Sequence, residues 1–126
     1  MPFPGFIAKI QEAEAALGAN VLEPAAAKAF LDANPTTLIL DVQDPGSDMI
    51  PGSYNASLGT LFFKASTDLA DFSDPKIAGL AADAPILVNC GLGGQAKLGA
   101  KILLDYGYTN VKTIDGGCVA WKKAGL

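Results

Sequence analysis

Apolar and polar positions follow a helical period at the front of the chain. One face, at a spacing of about 3.6 residues, carries the apolar residues Phe6, Ile7, Ile10, Ala13 and Leu17. Pro4-Gly5 precedes this stretch and Gly18 follows it, which is typical of the start and stop of a helix. We predict an amphipathic helix over residues 6–17. Residues 1–20 then form an N-terminal extension that docks on the rest of the chain or on a partner, with a homodimer through this helix as the expected assembly.

Beyond residue 20, short apolar runs alternate with helical patterns. The predicted strands are 21–22, 37–41, 54–56, 85–89 and 111–115, and the predicted helices are 24–32, 59–65, 74–80, 95–106 and 119–124. Strands that alternate with helices at this spacing predict an α/β domain, over residues 21–126, whose parallel sheet is covered on both faces. Ligands of such sheets bind beyond the carboxyl ends of the strands.

Length and composition limit the class of protein. The chain has 126 residues, half of them apolar, which corresponds to one domain able to build a core without disulfides or metals. No apolar run approaches the roughly 18–20 residues of a membrane span. The first residues show neither the basic start nor the apolar stretch of a signal peptide. We therefore expect a cytoplasmic protein with no membrane partner.

The residue types that are missing exclude several kinds of chemistry. The chain has no histidine, and all nine of its basic residues are lysine. It therefore has no Ser–His–Asp or Cys–His pair and no arginine fork for phosphate. Two cysteines without histidine do not make an ordinary structural zinc site, and a net charge of −4 disfavours nucleic-acid binding. We expect no metal and no cofactor.

A glycine-rich loop after the predicted strand 85–89 contains the candidate nucleophile, Cys90. Glycines let the backbone curl tightly around the preceding side chain, so that successive N–H groups converge on one point and form an anion-binding nest. The residues that supply these groups are Gly91, Leu92, Gly93, Gly94 and Gln95. The helix that starts near this loop adds its own N–H groups and the positive end of its dipole.

We expect a thiol at this position to be held as the thiolate, which is the nucleophilic form. Thiolate attack on a sulfur–sulfur bond needs no histidine. Two alternatives remain open. Cys90 is also explained as a buried structural cysteine whose neighbouring glycines serve only the turn. The loop formally fits a dinucleotide fingerprint as well, with Asp115 as the acidic residue, although only one short helix remains after Asp115.

Three more residues are candidates for supporting roles. Asp41 ends a buried strand and is expected to accept N–H groups of loops. Lys97 either faces an anionic donor from the first turn of its helix or belongs to a solvated helix face with Lys101 and Asp105. Cys118 is either a thiol that resolves or pairs with Cys90, or a small buried side chain.

Two features near the end of the chain receive structural interpretations. Gly116-Gly117 is expected only to bend the chain from a strand into a helix. Trp121 is expected to anchor the core with its indole N–H hydrogen-bonded.

Four stretches beyond about residue 21 carry a family resemblance: Leu40-Asp-Val-Gln-Asp-Pro45, Ile50-Pro-Gly-Ser-Tyr-Asn55, Asn89-Cys-Gly-Leu-Gly-Gly-Gln95, and Gly107-Tyr-Thr-Asn-Val111 running into Asp115-Gly-Gly-Cys-Val-Ala-Trp121. In these motifs and their order the chain resembles the single-domain rhodaneses, a family of sulfurtransferases. The resemblance implies a three-layer domain with a central parallel sheet of about five strands between helices.

The resemblance also implies a function. Cys90 is expected to accept a sulfane sulfur as a persulfide, cradled by the amides of residues 91–95, and to pass it to a thiol or to cyanide. The implied partners are a small donor (thiosulfate, polysulfide or persulfide) and a thiol acceptor, which includes a protein thiol.

The chain departs from the family at charged positions. Single-domain members often carry arginine at the positions of Gln43 and Gln95, and histidine at the position of Met49. Thiosulfate would then be held only by amides, the helix dipole, Gln95 and Lys97, so we expect weak thiosulfate activity. The alternative function is a catalytically weak module that binds a partner or senses sulfur. Phosphatases of this fold need a longer loop that ends in arginine, where this chain has Ala96, so phosphate-ester hydrolysis is excluded.

Overall fold

A computed structural model describes residues 3–126, which form five strands and six α-helices. The strands are β1 (Val21–Leu22), β2 (Leu38–Asp41), β3 (Tyr54–Asn55), β4 (Ile86–Asn89) and β5 (Val111–Ile114). The helices are α1 (Phe6–Leu17), α2 (Pro24–Ala33), α3 (Leu58–Lys64), α4 (Pro75–Ala78), α5 (Gly94–Asp105) and α6 (Gly117–Lys123). Over the described range, the helices are too short or too polar to cross a bilayer.

The five strands form one parallel sheet in the order β1-β5-β4-β2-β3. Side chains of α1, α3, α4 and α5 pack on one face, and those of α2 and α6 pack on the other. The predicted α/β class, with a central parallel sheet of about five strands between helices, is confirmed. All four residues of β4 are buried, because this strand lies in the middle of the sheet and is covered on both faces.

Side-chain alternation along β4 determines which way the candidate nucleophile points. Ile86 and Val88 belong to the core cluster that packs on α5, whereas Leu87 belongs to the cluster that packs on α6. Cys90 continues this alternation directly after the strand and lies in the cluster on the α5 face. The Cys90 side chain therefore lies on the α5 face of the sheet, near the beginning of that helix.

The predicted boundaries of α5 and α6 need correction. The first helical residue of α5 is Gly94, one position before the predicted start, and α6 begins at Gly117, two positions early. Gly116 precedes α6 with a positive φ of 77°. The first N–H groups of α6 then donate to carbonyl oxygens of the loop after β4. Hydrophobic periodicity does not reveal such a tertiary contact, which explains why the predicted start of α6 was wrong.

The N-terminal helix has the predicted bounds and packs on α5. Ala13 and Leu17 are buried, and Leu17 belongs to the same core cluster as Cys90. Phe6 and Ile7, predicted on the same apolar face, are exposed. The division of the chain at residue 20 and the homodimer through this helix stay predictions.

Trp121 anchors the core on the α6 side of the sheet, as expected, but the prediction for its indole group is wrong. Within the described part of the chain, the buried Nε1 atom has no hydrogen-bond partner. The same holds for both side-chain polar atoms of Asn89, the last residue of β4. Apolar packing therefore sets the position of this ring.

Candidate active site

Cys90 lies at the carboxyl edge of the sheet, directly after the central strand β4. Its side chain is only 3% exposed, yet the residue contributes to the wall of an open cavity of about 330 Å³. The described residues that line this cavity are Phe6, Gln43, Cys90, Gly91, Leu92, Gly94 and Gln95. The structure thus brings four of the five predicted substrate-binding residues to the same cavity as the cysteine, and Gly93 lies buried behind them.

Backbone N–H groups surround the sulfur of Cys90. The amide of Gly93 donates to Sγ at 3.1 Å, and the amide of Ala96 donates at 3.3 Å. Gly93 adopts a φ of 103° just before α5, a conformation that favours glycine. Two donors aimed at one sulfur, at the positive end of a helix, stabilise negative charge on it.

The sequence prediction placed the cradle in residues 91–95 and left out Ala96. Ala96 lies in the first turn of α5, where N–H groups have no partner within the helix and are available to an outside acceptor. Within residues 3–126, no protein acceptor bonds to the N–H groups of four further loop residues, namely Gly91, Leu92, Gly94 and Gln95. These four remain free to bind a ligand beside the sulfur.

Helix α6 holds the loop in this conformation. The Cys118 N–H donates to the Cys90 carbonyl at 2.8 Å, and the Val119 N–H donates to the Gly91 carbonyl at 3.0 Å. In a trans peptide group the carbonyl and the following N–H point in opposite directions. Turning these two carbonyls toward α6 therefore turns the N–H groups of Gly91 and Leu92 away from it.

Gly117 makes this contact sterically feasible. Its φ is 63°, and a side chain there would begin 2.6 Å from the Cys90 carbonyl oxygen and 2.7 Å from the Gly91 carbonyl oxygen. The expectation that Gly116-Gly117 only bends the chain is therefore incomplete. Because the partner loop lies more than twenty positions earlier, nothing in the local sequence reveals this requirement.

Asp41 organises the neighbouring loop after β2. It is fully buried, and its carboxylate accepts the Gln43 N–H at 2.9 Å, as expected for this residue, and the Gln43 side-chain amide at 3.0 Å. The Oε1 atom of Gln43 lies 3.1 Å from the point where a side chain on Gly91 would begin. Gln43 is thus fixed by Asp41 and forms one wall of the cavity. Gln43 lies beside the loop after β4 because β2 and β4 are neighbouring strands of the sheet.

Lys97 is not where either sequence hypothesis put it. Its ammonium group pairs with Glu14 of α1 at 3.4 Å, and its side chain is only 12% exposed. It neither lines the cavity nor lies on a solvated face, so its expected role in holding an anionic donor has no support in the structure. Lys101 does form the predicted helical pair with Asp105, at 2.9 Å.

Cys118 packs on the opposite face of the sheet from Cys90, in the cluster that contains Trp121. Both cysteines are free thiols. Burial raises the pKa of the Cys118 thiol, so this group is protonated at neutral pH. Cys118 is absent from the described lining of the cavity. These observations favour the interpretation of Cys118 as a small buried side chain.

Phe6 is the residue of the cavity that sequence reasoning missed. A side chain on Gly94 would begin 3.3 Å from Phe6 Cζ and 3.0 Å from Ile10 Cδ1, so the lack of one lets α1 approach the start of α5. Phe6 lies 84 positions before Cys90. The only sequence signal was the apolar face of α1, which indicates docking without naming the surface.

We predict that Gly117→Ala destabilises the fold more than a substitution at a glycine with open surroundings. Gly107→Ala is the matched control, since Gly107 has a φ of 104° and nothing lies within 4 Å of its missing side chain. The left-handed conformation costs an alanine about 1–2 kcal/mol in both variants. The clash with the loop adds about 1–3 kcal/mol at Gly117 alone. Urea denaturation measures both losses, and equal losses would contradict the proposed contact.

Comparisons with known proteins agree with the geometry. The family described as "Rhodanese-like domain" matches residues 23–124. The thiosulfate sulfurtransferase GlpE of Vibrio cholerae is 28% identical over 101 residues, which cover 80% of this chain and 86% of the relative.

Solved structures extend the similarity over α1. A protein of unknown function from Rhodopseudomonas palustris, described as a possible tyrosine phosphatase, is 28% identical with a TM-score of 0.82, and the match covers 99% of this chain and 96% of that one. The polysulfide-sulfur transferase homodimer of Wolinella succinogenes is 27% identical with a TM-score of 0.65, over 96% of this chain and 84% of that one. The family matches most of the chain, and the fold agrees with this match. The chain therefore belongs to the rhodanese-like domain family.

Proposed function

We propose that this protein is a sulfurtransferase or sulfur carrier that moves a sulfane sulfur through a persulfide on Cys90. The observation that carries the proposal is the pair of N–H bonds to the Cys90 sulfur, at 3.1 and 3.3 Å, inside a loop with further unpartnered amides. The names of the relatives from V. cholerae and W. succinogenes, both sulfur-transferring proteins, support it. We propose a cytoplasmic setting, because a reducing compartment keeps the two cysteines in the free form that this reaction uses.

The reaction proceeds in two displacements. The Cys90 thiolate attacks the outer sulfur of the donor, a new sulfur–sulfur bond forms, and the donor's own bond to that sulfur breaks. The electron pair leaves with the rest of the donor, as sulfite from thiosulfate or as a thiolate from a persulfide. An acceptor thiolate then attacks the outer sulfur of the Cys90 persulfide and releases Cys90 as the thiolate. Neither displacement requires an imidazole base.

The amides of the loop support both displacements by stabilising negative charge on the reacting sulfurs. Gly93 and Ala96 donate to the Cys90 sulfur when it is the nucleophile and again when it is the leaving group. The free amides of Gly94 and Gln95, at the start of α5, are available to donate to the negatively charged outer sulfur.

A second candidate function is a catalytically weak rhodanese-like module that binds a partner or senses sulfur. The observation that favours it is the uncharged lining of the cavity, in which Gln43 and Gln95 stand where many family members carry arginine. Turnover with a sulfane donor at about 1 per second or more would exclude this alternative. We do not propose a phosphatase, because the chain has no arginine to bind a phosphate ester.

We predict that incubation with inorganic polysulfide adds the mass of one sulfur atom to the intact protein. Cys90→Ser removes the nucleophile and is expected to abolish this gain. Cys118→Ser is the matched control and is expected to keep it, because Cys118 lies on the opposite face of the sheet, outside the described lining of the cavity, and its thiol is protonated. A persistent gain in Cys90→Ser, or no gain in the unsubstituted protein with any sulfane donor, would refute the proposal.

We also predict that Gln95→Arg lowers the KM for thiosulfate by about tenfold, because a hydrogen bond to a charged group contributes about 1.5–3 kcal/mol. Gln95 is exposed and lines the cavity, so an arginine there can reach the donor. Gln11→Arg adds the same charge on an exposed position of α1 and serves as the control. Equal effects of the two substitutions on KM would mean that the native cavity does not lack a cation for thiosulfate.

A further inference from the structure

We propose that Phe6 is a specificity-determining residue of the sulfur-transfer site, and that it favours donors whose sulfane sulfur is attached to an apolar organic group. This inference rests on the proposed function of Cys90. Phe6 lies before residue 23, where the match to the family begins, so the determinant belongs to the N-terminal helix and not to the region that the family shares.

The first step of the argument is that α1 is fixed at the site. Leu17 is buried in the core at one end of the helix, and Ile10 packs against Gly94 near the other. Glu14 pairs with Lys97 of α5, and Glu12 lies 3.9 Å from Lys101 of α5. Packing supplies most of this attachment and the ion pairs orient it, because partly exposed pairs contribute little free energy.

The second step is that Phe6 keeps apolar surface available inside the cavity. Its ring lies close to the start of α5, since a side chain on Gly94 would begin 3.3 Å from Phe6 Cζ, yet 54% of the residue is exposed. Leu92, on the loop after Cys90, is 76% exposed and lines the same cavity. Two exposed apolar side chains beside a nucleophile gain free energy when an apolar group of a ligand covers them.

The third step concerns charge. The described lining of the cavity contains no charged side chain, and the lysine in the first turn of α5, Lys97, is engaged by Glu14. The sulfonate of thiosulfate would find only amides there. An organic persulfide instead presents one sulfur to the amides and an organic group to Phe6 and Leu92, so both halves of the donor meet a matching surface.

The transfer from such a donor is balanced without an oxidant. The Cys90 thiolate attacks the terminal sulfur of R–S–SH, and a bond forms between the two sulfurs. The sulfur–sulfur bond of the donor breaks, and its electron pair leaves on R–S⁻. The proton travels with the transferred sulfur, so one negative charge enters and one leaves in this step, and its later release to solvent leaves the negative charge on the outer sulfur.

The test compares benzyl persulfide with inorganic polysulfide as donors for Phe6→Ala, with Ile7→Ala as the matched control. Ile7 is the neighbouring apolar residue of α1, is 66% exposed and is not part of the described lining. Phe6→Ala is expected to lower kcat/KM for benzyl persulfide by about tenfold through KM, which is the size of effect that loss of an apolar pocket contact produces. Its kcat/KM for inorganic polysulfide is expected to fall much less, so that the ratio of the two values changes, whereas Ile7→Ala is expected to change neither value.

Two further variants separate recognition from structural support. Phe6→Leu keeps an apolar wall and is expected to retain most of the preference for benzyl persulfide, whereas Phe6→Lys is expected to shift the preference toward thiosulfate. Equal losses of Phe6→Ala with both donors, or an unchanged preference, would overturn the specificity role while leaving Cys90 chemistry intact. Failure of the unsubstituted protein to form a Cys90 persulfide with either donor would overturn the proposed function, and this inference with it.

Discussion

The candidate site depends on one constraint, the direction of two peptide groups next to Cys90. Their carbonyls accept hydrogen bonds from the first amides of α6, and planarity of the peptide then turns the following N–H groups the other way. The amides that bond to the sulfur, those of Gly93 and Ala96, follow in the same loop and in the first turn of α5. A loop that kept its sequence but lost the two bonds to α6 would lose the anchor at its first two peptide groups. The geometry of the site thus depends on α6 as well as on the glycines of the loop.

The sheet places these parts where they can meet. β4 is the central strand, with β5 on one side and β2 on the other, so the connections that leave the ends of these three strands are neighbours. β5 leads into Gly116 and α6, which hold the loop from behind. β2 leads to Asp41 and Gln43, which form a wall of the cavity. α5 supplies the Ala96 amide and carries α1 on its outer side. A site assembled from three strand ends and two helix starts is the arrangement expected for a parallel α/β sheet.

The parts that the sequence predicts are those governed by local physics. A continuous apolar run surrounded by turn residues identifies β4, the period of α1 identifies its bounds, and three glycines after a lone cysteine identify the loop. The sequence does not predict the contacts between distant segments. The α6 amides on the loop, the ion pair of Lys97 with Glu14 and the approach of Phe6 to Gly94 join residues that are 28 to 88 positions apart. Each contact depends on how the helices pack on the sheet, and the sequence alone is compatible with several such packings.

The most direct test of the amide cradle is the backbone NMR spectrum of the ¹⁵N-labelled protein before and after one sulfur is added to Cys90. A sulfur held by backbone donors predicts that the amide proton signals of Gly93 and Ala96 move when the charge on Sγ is transferred outward. Those of Gly94 and Gln95 are expected to move downfield as they become donors to the outer sulfur, and the signal of Gly107 is expected to stay in place. If the adduct forms while the four loop signals remain where they were, the amides do not hold the reacting sulfur and the account is contradicted.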